Sequence, residues 1–153
     1  MLFAIAAVPI ISFVGAAIDY TRANTARSSM QAALDSTALM LGKDLTDGTI
    51  TASQISAKAT AYFNALYTNK DAQNPVIGAT YTVASGATPA TIQLTGSSSI
   101  KTDFLQVAGY MPNIDFNTSS TSTWGNVRMR VAMALDNTGS MAQNGKIAAL
   151  RTS

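Results

Sequence analysis

The chain of 153 residues contains no cysteine, no histidine and no glutamate; all eight of its acidic residues are aspartates. Without cysteine there is no disulfide framework, no thiolate nucleophile and no Cys-ligated zinc or iron–sulfur site. Without histidine there is no Ser–His–Asp triad, no HExxH zinc motif and no ordinary general base near neutral pH. Charge is scarce too, at 12% of residues against about 25% in typical domains. Ser, Thr, Asn and Gln therefore supply most of the polarity. The formal net charge is +2, and the ten basic residues form no run. Nucleic-acid binding needs a concentrated basic patch, so no such partner is expected. The remaining Asp, Lys, Tyr and Ser show no catalytic spacing, so neither an enzyme nor a small-molecule substrate is expected.

What is present begins with MLFAIAAVPIISFVGAAI, Met1 to Ile18, with no charge before Asp19. A spanning helix needs about 20 apolar residues, and proline is tolerated in such spans. The run reads as a transmembrane anchor over 1–18. Two alternatives are a signal peptide, with Gly15 and Ala17 near a cleavage site but no basic leader, and a buried core helix. Arg22 and Arg27 follow the run. By the positive-inside rule they would hold that flank in the cytoplasm, unless a basic tail precedes Met1.

Residues 19–45 continue as an amphipathic helix. Ala23, Ala26, Met30, Ala33, Thr37 and Met40 recur at spacings of three and four, broadened by Leu34 and Leu41. No Gly or Pro interrupts between Gly15 and Gly42, so run and stripe join into one helix of about 40 residues, roughly 60 Å long. The stripe is expected to pack on the chain's own head; a coiled-coil contact with another subunit is the alternative. Asp47-Gly48 marks a turn. Thr51 and Gln54 form a capping box for a second helix to about Tyr67, with Ile55, Ala59, Tyr62, Phe63 and Leu66 inward.

No charge occurs from Ala72 to Ile100. Alternation predicts strands over 79–84 and 91–95, joined by a hairpin loop at 85–89. A short strand is expected at 97–101, a short helix over 103–110 and a strand over 116–124. The Ser and Thr runs suit an exposed β surface and receive no chemical role. Val127–Leu135 alternates and then becomes apolar on both faces in VAMAL, as a strand covered on each side would.

VAMAL runs into Asp136-Asn137-Thr138-Gly139-Ser140-Met141. A carboxylate and two hydroxyls in a tight loop at a strand's C-terminal end suit Mg²⁺ or Mn²⁺. The bland alternative is a turn that caps the next helix. VAMALDNTGSM resembles the opening strand and metal-ion-dependent adhesion site (MIDAS) of a von Willebrand factor A domain. That resemblance implies Asp136, Thr138 and Ser140 as metal ligands. At the other end, PIISFVGAAIDYTRANTARSSMQAALDSTAL is similar to the start of TadG-like proteins of tight-adherence (Flp) pilus systems. Those join an apolar helix to an IDY-x-R-A segment and an Ala-rich helix.

These resemblances imply a bacterial inner-membrane protein, single-pass, with its bulk in the periplasm and other pilus-assembly proteins as partners. Only 13 residues follow Ser140. The metal site is therefore expected to be incomplete, with no cofactor in this chain; Mg or Mn would bind only in a complete A-type domain. The expected fold class is α+β: a long N-terminal helix, a second helix and a small, mainly antiparallel sheet. Its parts are an anchor (1–18), an amphipathic helix (19–45), a small α+β region (46–126) and the start of an incomplete A-type domain (127–153). The expected function is a membrane-anchored accessory role in Flp/Tad pilus assembly or secretion, through protein–protein contacts. The alternatives are a pilin-like filament subunit or a fragment of a metal-dependent adhesion module.

Overall fold

The computed structural model describes residues 2–86, 88–107 and 109–125, with backbone alone for residues 2–8. Among them, a single helix α1 (Leu2–Thr46) runs for 45 residues with Pro9 inside it, about 68 Å from end to end. Helix α2 (Ile55–Leu66) follows a 3-10 turn at Ala52–Gln54. Three strands, β1 (Ala72–Thr82), β2 (Ala90–Lys101) and β3 (Asn113–Trp124), form an antiparallel meander in the order β1-β2-β3. A single-turn helix α3 (Phe104–Val107) sits between β2 and β3. The expected α+β arrangement of long helix, second helix and small antiparallel sheet is thus met.

The core lies where α1 crosses β2 and β3. Ala23, Ala26, Met30, Ala33, Leu34, Thr37, Ala38 and Leu41 are all buried. They recur at helical spacing and form one face. From β2 the even positions Ala90, Ile92, Leu94, Ser98 and Ile100 are buried against that face, while the odd ones turn outward. Gly96 lies among them. A Cβ there would stand 3.0 Å from the Met30 sulfur and 3.0 Å from Leu34 Cδ1, so its lack of a side chain lets the helix settle on the sheet. Helix α2 closes the other flank with Ile55, Ala59 and Phe63, and Tyr67 stacks on Phe63 with ring centroids 5.1 Å apart.

Side chains of α1 also finish the sheet. Gln31 Nε2 donates to the Ser119 carbonyl on β3 at 3.1 Å, and the Thr118 hydroxyl bonds Gln31. At the opposite edge, β1 carries a register irregularity between Gln73 and Val76. Pro75 lies inside it and Asn74 has φ 47°. A proline and a bulge both blunt an edge strand against further pairing. The outer face aligns Thr80 with Gln93 and Thr121, and Thr82 with Thr91 and Thr123. It is a solvated face of hydroxyl and amide groups.

Several sequence expectations need correction. Met40 is exposed; Ala38 takes an inward position beside the expected Leu41, because the helical face drifts over so long a contact. Leu66 is exposed and Tyr67 buried instead, since the chain leaves helical geometry at Tyr67. Residues 97–101 are not a separate strand but the end of β2, and the helix expected over 103–110 is the single turn α3. The capping box at Thr51 opens the 3-10 turn: Thr51 N–H donates to Gln54 Oε1 at 2.9 Å, and the α-helix starts only at Ile55. Among the described residues no helix is long and apolar enough to cross a membrane. The strand expected over 127–135, and the A-type resemblance with it, lies outside the described residues.

Candidate functional site

The polar centre of the molecule lies at the junction between the uncharged run and the head. Asp19 is the first charge in the chain, yet its side chain is fully buried. Its carboxylate accepts the backbone N–H groups of Asp103 (3.1 Å), Phe104 (3.0 Å) and Leu105 (2.9 Å). Those N–H groups begin α3 and have no partner within the turn, as at any helix start. Asp19 therefore caps α3 from another element, through charge-assisted bonds. Burial pushes the carboxyl pKa up, but the three N–H donors and the Arg22 charge outweigh it. The net position lies below the ordinary 3.8.

Arg22, one turn further on, gathers the surrounding loops. Nη1 reaches Asp103 Oδ2 at 2.6 Å and lies 3.7 Å from Asp19 Oδ1. Nη2 and Nε reach the two oxygens of Asp71 at 3.2 and 3.4 Å. The hydrogen bonds to Asp71, together with the carboxylate charges of Asp71 and Asp103, raise the guanidinium's pKa against the cost of burial. Asp71 immediately precedes β1, and Asp103 follows β2. One Asp/Arg pair, three residues apart on α1, thus ties the long helix to both loops at this end of the sheet. The Arg22 pairs are partly solvated and stabilise little each. The buried Asp19 is the stronger tie, because removing it would strand three N–H donors.

The same end is tightened from two further directions. Thr102 closes the base of the α3 loop: its hydroxyl donates to the Met111 carbonyl at 2.6 Å and its N–H to Pro112 at 3.0 Å. Phe104 lies against Gly15, where a Cβ would come within 2.4 Å of Phe104 Cβ. Only a glycine at position 15 leaves room for this approach.

Asp136, Thr138 and Ser140 lie outside the described residues. Among the described residues, no cluster of acidic side chains is arranged to hold a metal ion; Asp19, Asp71 and Asp103 converge on a guanidinium instead. In the sequence Asp19 and Arg22 stand out as charges flanking the apolar run and as part of the IDY-x-R-A segment, whereas Asp71 and Asp103 are not singled out. The available signal was a carboxylate and a guanidinium three residues apart where that run ends, with single aspartates at two loop–strand boundaries.

Comparison with curated proteins and with solved structures returned no match. Residues 1–40, which hold the uncharged run, Asp19, Arg22 and most of the buried stripe, match the family described as putative Flp pilus-assembly TadE/G-like, and that match supports a part for the chain in Flp pilus assembly.

Proposed function

We propose that the chain is a membrane-anchored, non-enzymatic accessory protein of Flp/Tad-type pilus assembly or secretion that works by protein–protein contact. The observation that carries this reading is the division of labour within α1. From Ala23 to Leu41 one face of the helix is consumed by the head, whereas Ile10, Ile11, Phe13, Val14 and Ile18 are exposed, Phe13 at 78%. An uncharged helical surface of this kind has to be covered by something outside the head. Pro9 supports a lipid environment. A proline in the interior of a water-exposed helix costs about 3 kcal/mol, whereas membrane-spanning helices tolerate it. On this reading the anchor takes up residues 1–18 and the head stands in the periplasm of a bacterial cell.

The direct test is deletion of the gene in a bacterium that assembles Flp pili, with complementation. Loss of surface pili is expected, restored by the full chain but not by Ile11→Lys/Val14→Lys. Unchanged piliation after deletion would overturn the reading. A second reading, a pilin-like filament subunit, draws on the same layout of a long helix whose apolar start projects from a small β head. Filaments containing the chain would favour it; a monodisperse detergent-solubilised protein would count against it. A metal-dependent adhesion role for Asp136, Thr138 and Ser140 calls for Mg²⁺ or Mn²⁺ binding that Asp136→Ala abolishes.

A further inference from the structure

The loop around α3 carries a second apolar surface. Val107 is 89% exposed, Tyr110 72% and Met111 64%, and Phe104 is also partly exposed. Their position along α1 is fixed three ways: by the Asp19 carboxylate on the N–H groups of residues 103–105, by Phe104 against Gly15, and by Thr102 across the loop base. The loop cannot swing far from the helix without breaking these ties.

That position coincides with the end of the uncharged run. Gly15 lies one turn before Asp19, about 6 Å nearer the chain start along the axis. Phe104 therefore lies below the Asp19/Arg22 cluster, on the apolar side of it. Charged and apolar groups separate sharply here. Asp103 faces Arg22 on one side, and the next residue, Phe104, packs on Gly15 on the other. Tyr20, also exposed, stands at the same level on α1. Tyrosines beside a step from apolar to charged surface characterise the bilayer interface. Phe104 thus joins the loop surface to the Ile10–Ile18 stretch at Gly15.

We propose that the α3 loop is a second membrane contact: Phe104, Val107, Tyr110 and Met111 enter the headgroup region of the same bilayer that takes the start of α1. This rests on the anchoring reading above. It adds that the head docks on the lipid surface in one orientation instead of swinging on its helix. Interfacial segments reach about 5–10 Å into the headgroup boundary, comparable to the one-turn offset of Gly15 from Asp19 along α1.

The chain has no native cysteine, so single nitroxide labels can be placed cleanly. The full chain is reconstituted in phosphatidylethanolamine/phosphatidylglycerol vesicles with a label at Val107→Cys. Phe13→Cys serves as the anchor control and Thr80→Cys, on the solvated sheet face, as the water control. Accessibility to oxygen and to a water-soluble nickel complex is then compared. The proposal predicts an oxygen-to-nickel ratio at 107 several-fold above that at 80. A ratio at 107 equal to that at 80, with 13 still in lipid, overturns the proposal and leaves the anchor standing. Water-like ratios at both 13 and 107 overturn the anchor and the proposal together. Loss of both accessibilities at 107 means a protein neighbour, such as a second copy, and also overturns it. Gly15→Leu, which drives Phe104 off the helix, lowers the ratio at 107 and leaves that at 13 unchanged; no change at 107 contradicts the proposed positioning.

Discussion

Helix α1 contains two apolar regions of opposite fate. From Ala23 to Leu41, small and branched side chains are buried on β2, β3 and α2; from Ile10 to Ile18, larger ones stay exposed. The first along the chain is the more apolar, with seven apolar residues of nine against ten of nineteen, and the two also differ in the spacing of polar residues. Arg27, Gln31 and Asp35 interrupt the second region at intervals of four and leave one apolar face, whereas the first has no charge at all. A helix with one apolar face finds its partner within its own domain; one apolar all round needs an apolar solvent or another protein.

The largest expected effect breaks the comparison directly. Leu34→Ala removes a fully buried side chain under Gly96 and should cost about 2–5 kcal/mol in denaturant unfolding. Val14→Ala, on the exposed region, should stay within about 0.5 kcal/mol. Equal losses would mean that both regions are core.

Asp19 marks the border and comes next. Asp19→Ala should cost about 1.5–3 kcal/mol and release α3, seen as faster amide exchange at residues 103–105. Its pKa is lowered on folding. Its contribution to stability is therefore full above the ordinary carboxylate value and lost as pH falls through the lower folded value. Asp19→Asn should remove that part of the acid dependence, and an unchanged profile would contradict the assignment.

A smaller effect is expected at Thr37. Its buried hydroxyl has no hydrogen-bond partner among the described residues. Thr37→Val should be neutral or stabilising by up to about 1 kcal/mol, and a clear loss would reveal an unseen partner. The smallest effect is spectroscopic. The Tyr62 hydroxyl donates to Asp44 at 2.6 Å, and this bond, with burial, raises the phenol's pKa above 10.0. Its ultraviolet titration should move back down in Asp44→Asn.

The parts of the fold legible in the sequence were those set by local periodicity. The stripe on α1, the capping glutamine at Gln54 and the alternation in Thr91–Thr95 each found their element. The illegible parts depend on distant partners. The length of β2 beyond Thr95 is decided by pairing with β3, because Ser97, Ser98 and Ser99 have little strand preference of their own. The junction was hidden because Asp19, Asp71 and Asp103 are far apart in sequence and meet only once α1 lies on the sheet. The single turn of α3 could not be sized, since it owes its start to a carboxylate 84 residues away.

On the anchoring proposal the two regions of α1 serve different solvents, lipid for the first and the head for the second. Flotation of the full chain with lipid vesicles after alkaline carbonate treatment tests it most directly, alongside Ile11→Lys/Val14→Lys. The wild-type chain is expected to float with the vesicles, and the double variant to stay at the bottom of the gradient with an unchanged unfolding midpoint. A wild-type chain left at the bottom, or a double variant whose head unfolds, would contradict it.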